Sequence, residues 1–179
     1  MRIERIELGL VRLPLVRFFE TSFGRIDDRA FVLVTVEEDG AVGVGECVAD
    51  ERPFYSSETT RTAWHIITDF LAPMVLGRAF MHPREVFDSF ALVRGHHMAK
   101  AAIEMAMWDL FARQQNRSLA EVLGGTAAAM ANGISSGVSI GIQESLDELV
   151  ARVDTELEAG YRRIKIKIKP GWDLEPVRR

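Results

Sequence analysis

The chain has 179 residues, 47% of them apolar and 27% charged, with 22 Lys plus Arg against 26 Asp plus Glu and a net charge of −4. That balance argues against a general nucleic-acid binder, whose domain is normally basic, and no apolar run nears the roughly 20 residues needed to cross a bilayer. A single cysteine, Cys47, leaves no internal disulfide to form, so a cytoplasmic setting is the default expectation.

The opening MRIERIELGLVRLPL alternates charged with apolar residues and lacks the uninterrupted apolar stretch of a secretory signal. Its spacing predicts a first strand over residues 2–13, ending before Pro14. Arg17 to Gly24 is polar with interspersed phenylalanines and shows neither a helical nor a strand period. Two apolar runs, Phe31–Val36 and Val42–Val48, flank Glu37-Glu38-Asp39-Gly40, and an Asp-Gly step between such runs predicts a hairpin. The first third therefore reads as a small antiparallel sheet of about three strands.

Helical spacing follows. Ser57 or Thr59 can cap a helix with Ala63, Ile66, Ile67, Phe70 and Leu71 on its apolar face, ending near Pro73. Pro83 suits the first turn of a second helix carrying Val86, Phe87, Phe90 and Leu92. A third, from Met98 to about Gln115, is rich in Ala and Met and nearly apolar all round, which predicts a central place in a helical layer. Ser118 opens a short turn over 119–123, stopped by Gly124-Gly125. An Ala-rich linker then leads to a strand within Ile134–Ile142. Ser145-Leu-Asp-Glu148 is a capping box for a helix bearing Leu146, Leu149, Val150, Val153 and Leu157, closed by Gly160. Arg163 to Lys169 alternates basic residues with isoleucine, up to Pro170-Gly171. Strand, helix and strand with short loops predict a parallel βαβ unit, which needs further strands to bury both faces and cover its edges.

The segment Ile164-Lys165-Ile166-Lys167-Ile168-Lys169 carries the most chemistry. At a strand period of 2, its lysines share one face and its isoleucines the other, with alternate Cα atoms roughly 6.6 Å apart. Lysines that face a strand interior repel one another and are desolvated, which favours the neutral amine a general base needs. The same pattern also suits a solvent-facing edge strand protected by charge, or, with Arg162 and Arg163, a phosphate contact.

Longer stretches carry a family resemblance. Ala99-Lys-Ala-Ala-Ile-Glu104-Met-Ala106-Met-Trp-Asp109-Leu-Phe-Ala112-Arg113, with Ser118-Leu119 and Leu123-Gly124, resembles the signature helix of the mandelate racemase and muconate lactonizing subgroups of the enolase superfamily. It departs at Met107 and Val122, both apolar changes. Lys165-Ile166-Lys167 matches the K-x-K motif of the muconate lactonizing subgroup. The PLV-x-x-F run around Phe19, Thr21 to Gly24, Gly45 to Ala49, Tyr55 to Glu58, Gly137 to Ile142, and Gly160 through Asp173 are similar to one branch, the N-succinylamino acid racemase and o-succinylbenzoate synthase group.

The resemblance implies an α+β capping domain over 1–125, followed over 126–179 by the first βαβ of a (β/α) TIM-type barrel, truncated. It implies an enzyme that abstracts the proton α to a carboxylate, passing through an enediolate stabilised on Mg²⁺. That reaction serves dehydration on the menaquinone route, racemisation of N-succinylamino acids, or both. Lys167 is the implied acid/base, and Lys165 the residue that tunes charge and holds the substrate carboxylate. Ser139 matches a position near the substrate, although beside Gly137 and Gly141 it is equally a small residue chosen for packing. Phe19, Phe23 and Tyr55 match capping loops that close over the substrate, or else pack locally. Asp50 stands where relatives carry an apolar residue near the side-chain pocket. Lys169 stands where they often carry glutamate, and no catalytic role is assigned to it.

A complete barrel takes about 250 residues. The family's metal ligands fall on its third to fifth strands and its second lysine on the sixth, so no metal ligand is expected within 1–179. The expected partners are a small-molecule carboxylate and, for the full-length protein, further copies of itself, with neither nucleic acid nor membrane. Other readings are a dipeptide epimerase, a muconate-type cycloisomerase, or an inactive truncated capping module.

Overall fold

Strands β1 (Arg5–Thr21) and β2 (Gly24–Glu38) form a long hairpin, and β3 (Ala41–Cys47) lies beside β2, giving the order β1-β2-β3. The computed structural model describes every residue from Met1 to Arg179. β1 does not end before Pro14 but runs through it, and Arg17–Thr21, which showed no period, is strand as well. β1 is an edge strand, where a proline costs no ladder hydrogen bond if its nitrogen faces outward.

The hairpin passes through two compact units. One comprises Met1–Arg12 with Ala30–Ala131, the other Leu13–Arg29 with Asn132–Arg179. A division between 125 and 126 keeps 13–29 with the first part of the chain, whereas the contacts group that segment with 132–179.

In the first unit, β2 and β3 pair antiparallel from Val32↔Cys47 to Glu38↔Ala41. Asp39 and Gly40 both adopt positive φ, 50° and 76°, which is the demand of the expected two-residue hairpin turn. Val32, Val34 and Val36 alternate into the core, as do Gly43, Gly45 and Cys47 of β3.

Helix α1 (Thr60–Ile66) starts at Thr59, whose side chain accepts the Thr62 N–H while the Thr62 hydroxyl oxygen accepts the Thr59 N–H. The expected stop near Pro73 does not occur: the chain passes through a π-helical turn, Ile67–Leu71, into α2 (Ala72–Val75). Pro73 sits in the first turn of α2, right after the widened turn, where its missing N–H is least costly. A π turn holds extra residues, so positions four apart stay on one face. Ala63, Ile67, Leu71 and Val75 are accordingly buried, and Phe70, expected on the same face, is 49% exposed. α3 (Arg84–Ser89) follows Pro83 and buries Val86, with Phe90 buried just past its end, but Phe87 within the helix faces outward and Leu92 lies exposed beyond it.

α4 (His97–Gln114) is the centre of the unit, with Ala99, Ala102, Ile103, Ala106, Met107 and Leu110 all buried. It lies flush on β3. A Cβ built on Gly43 or Gly45 comes within 2.1 Å of the Ala106 or Ala102 carbonyl oxygen, so only glycine permits this approach. Lys100, buried on the same helix, donates to the Val93 carbonyl. α5 (Leu119–Val122) carries a full capping box between Ser118 and Glu121. The Ala-rich stretch expected as a linker forms α6 (Ala127–Asn132) instead, in keeping with the helix propensity of alanine.

In the second unit, β4 (Val138–Ile140), α7 (Leu146–Glu158) and β5 (Ile164–Ile166) form the expected βαβ unit, with β4 and β5 parallel. Both strands are shorter than their sequence patterns. The capping box of α7 is half made: Ser145 accepts the Glu148 N–H at 3.1 Å, but Glu148 turns its carboxylate to the Glu144 N–H. Leu149 is buried, while Leu157 of the predicted apolar face is 49% exposed. A last helix, α8 (Leu174–Arg178), starts at Asp173, which accepts the Leu174 N–H. This two-stranded parallel sheet with its crossover helix is the extent of regular sheet in the second unit beyond the hairpin tip. No helix is long and apolar enough to cross a membrane.

Candidate active site

β4 and β5 pair in the register Val138↔Ile164, Ser139↔Lys165 and Ile140↔Ile166. Residues opposite one another in a sheet share a face, so Ser139 and Lys165 stand together on one side and the aliphatic residues on the other. α7 packs against β4, and Ile140 is buried while Ser139 and Lys165 are exposed. The face division read from the lysine–isoleucine alternation is therefore present over 164–166.

The strand itself ends sooner than expected. Beyond Ile166, one more ladder bond joins Lys167 N–H to the Ile140 carbonyl at 2.9 Å. The chain then turns: Lys169 and Trp172 exchange backbone hydrogen bonds of 3.1 and 2.8 Å around Pro170-Gly171. Gly171 has φ 79°, so Pro and then a positive-φ Gly occupy the two central positions of a tight turn. Lys167 is half-buried at the end of the ladder.

The tip of the β1–β2 hairpin belongs to this unit. The Glu20 carbonyl accepts the Ile142 N–H at 2.9 Å, two residues past the end of β4. Phe19 and the Glu20 backbone press so closely on Gly141 that an added Cβ would meet them at 3.0–3.2 Å. Phe23, in the hairpin turn, is 70% exposed.

Sequence reasoning missed Glu20. Its Oε1 accepts from the Lys169 Nζ at 2.6 Å, and its Oε2 lies 3.0 Å from the Arg25 Nε. Arg25 reaches on to Glu144 at 3.4 Å and lies over the Phe18 ring, 3.7 Å from its centroid. The hydrogen bond from Lys169, then that from Arg25, hold the Glu20 carboxyl below the usual carboxylate range. The available signal was one acidic residue beside Phe19 and one lysine more than the K-x-K motif needs. Their separation of 149 residues hid the pairing. By contrast, the Lys165 and Lys167 ammonium groups have no hydrogen-bond or ion-pair partner.

The structure thus brings Phe19, Ser139, Lys165 and Lys167 into one unit, with Phe23 at its hairpin turn. Asp50 and Tyr55 lie in the other unit, on the segment between β3 and α1. That segment closes at its base through the Thr60 N–H to the Asp50 carbonyl, 3.0 Å, and Arg12 forms an ion pair with Glu51. Glu58, buried, accepts the Met98 and Ala99 N–H groups and so caps α4. Asp109 accepts from the Val44 N–H and the Arg113 Nε, both at 2.9 Å, and fastens α4 to β3.

The N-terminal domain of the mandelate racemase/muconate lactonizing enzyme family matches residues 6–124. The chain belongs to that family. An o-succinylbenzoate synthase of Enterococcus faecalis is 47% identical over 178 residues, 99% of this chain and 47% of that protein. An N-succinylamino acid racemase of Thermus thermophilus is 43% identical, with the same coverage of both chains. Among solved structures, a member of the enolase superfamily from Listeria innocua is similar with a TM-score of 0.87 and 36% identity, over 99% of this chain and 47% of that one. The chain spans about half the length of these relatives.

Members of this family generally use Mg²⁺. No group of three or more His, Cys, Asp or Glu residues is gathered where it could hold a metal ion. Residues 1–179 do not fit a Mg²⁺ centre, and none of them is assigned as a ligand.

Proposed function

We propose that this chain supplies the capping domain, 1–125, and the start of the (β/α) barrel, 126–179, of an enzyme that acts as an o-succinylbenzoate synthase, an N-succinylamino acid racemase, or both. The observation that carries the reading is the juxtaposition of Ser139 with Lys165 and the unpaired Lys167 next along the same ladder. An unpaired amine at a strand end, beside a second cation, can take a proton from carbon once a carboxylate is held next to it. Lys167 is the base in this reading. Lys165 attracts the substrate carboxylate, which accepts the electron pair as the α-proton leaves. Ser139 lines the same face, and Phe19 and Phe23, in the same unit, contact the substrate. The partner is a small carboxylate, and the full-length protein assembles as a homo-oligomer. Mg²⁺ enters only through residues outside this chain.

The test uses the full-length protein that contains this sequence. In deuterated water, N-succinylamino acid substrates exchange their α-proton, and Lys167→Ala abolishes exchange of one enantiomer at least. Undiminished exchange in Lys167→Ala sinks the assignment.

A further inference from the structure

We propose that Glu20 is a positioning residue that clamps the hairpin tip to the end of the lysine strand through Lys169, and so reserves the substrate carboxylate for Lys165 and Lys167. The inference rests on the reading of those two lysines given above. Of the three ladder lysines only Lys169 is paired, its Nζ 2.6 Å from the Glu20 Oε1. Left unpaired, a third ammonium on this segment would compete for an incoming carboxylate. The second Glu20 oxygen is occupied by Arg25, whose guanidinium also reaches Glu144, so the carboxylate sits in a chain of alternating charge: Lys169, Glu20, Arg25, Glu144.

The same residue fixes the backbone. The Glu20 carbonyl takes the Ile142 N–H, and an added Cβ at Gly141 would crowd Phe19 and Glu20 at 3.0–3.2 Å. Apolar burial at the tip is only partial, with Phe18 and Phe19 half-buried but Phe23 70% exposed and Val16 fully so. Lys169 keeps 42% of its side chain exposed, which makes the clamp a modest and reversible one.

The test uses the full-length protein that contains this sequence. Acetic anhydride modifies Lys165 and Lys169 in competition, and Glu20→Gln raises the Lys169-to-Lys165 ratio by about three-fold as the Lys169 amine is freed from a partly exposed ion pair. Amide hydrogen exchange over Leu13–Arg29 accelerates in Glu20→Gln and in Lys169→Met. Lys169→Arg, which keeps the charge, retains the protection, as a merely space-filling role would not require. If Glu20→Gln fails to fold, the exposed Lys169 position carries the experiment alone. Unchanged tip protection in Lys169→Met, or equal loss in Lys169→Arg and Lys169→Met, overturns the proposal. Neither readout needs catalysis, so such a failure leaves the role of Lys167 standing, and retained α-proton exchange in Lys167→Ala leaves the clamp standing.

Discussion

Glu58 caps helix α4 from 41 residues away, its carboxylate accepting the Ala99 N–H at 3.1 Å and the neighbouring Met98 N–H at 3.0 Å. The residue at the helix start, His96, has φ 53° and gives no side-chain cap, so the first amides of the central helix depend on Glu58. Glu58→Ala leaves two N–H groups without an acceptor, one of them buried, at a cost of about 1–3 kcal/mol. Glu58→Gln keeps one acceptor and costs less. Urea unfolding of the two variants checks the order, and equal midpoints would contradict it.

Gly43 and Gly45 let α4 rest on β3, with 2.1 Å separating a hypothetical Cβ from a helix carbonyl oxygen. The neighbour is backbone and cannot swing aside. Gly45→Ala must push the helix off the sheet and lowers stability by about 1–3 kcal/mol or more. Gly9→Ala, with open space around its Cβ, is the control and shifts the thermal midpoint far less.

Cys47 is fully buried, and desolvation pushes its thiol up from the ordinary value, with the Glu58 carboxylate adding to the shift. The thiolate is the reactive form, so the native chain reacts with Ellman's reagent far more slowly than the chain unfolded in urea. Release of one equivalent within the mixing time of the native protein would contradict this.

Glu20 adds a pH dependence to its unit through its pairing with Lys169 and Arg25. Its carboxyl is held below its ordinary value near 4.5 by Lys169 first and Arg25 second. A folded value below the unfolded one means that the stabilisation is complete above the unfolded value and is lost as pH falls through the folded one. A carbon-13 NMR titration of the Glu20 side chain has its midpoint below 4.5. Lys169→Met moves that midpoint up, and a midpoint unmoved by this substitution would refute the pairing.

Much of the architecture was legible because it is set locally. Alternation exposed β2 and β3, Asp39-Gly40 marked their turn, and Thr59 and Ser118 announced their helices through bonds made within four residues. The lysine–isoleucine alternation assigned faces to 164–166 for the same reason, since the strand period belongs to the backbone.

What the sequence by itself determined, then, is the β2–β3 hairpin, the central helix, the strand–helix–strand order after 134 and the presence of a paired-lysine motif. Tertiary structure alone decided that β1 continues through Pro14, that residues 13–29 join 132–179, and that Glu20 meets Lys169. A proline is tolerated only if the strand lies at an edge, and an ion pair forms only if folding brings its members together. Neither condition is written in the residues nearest to it, because edges and long-range pairs exist only once the whole chain has packed.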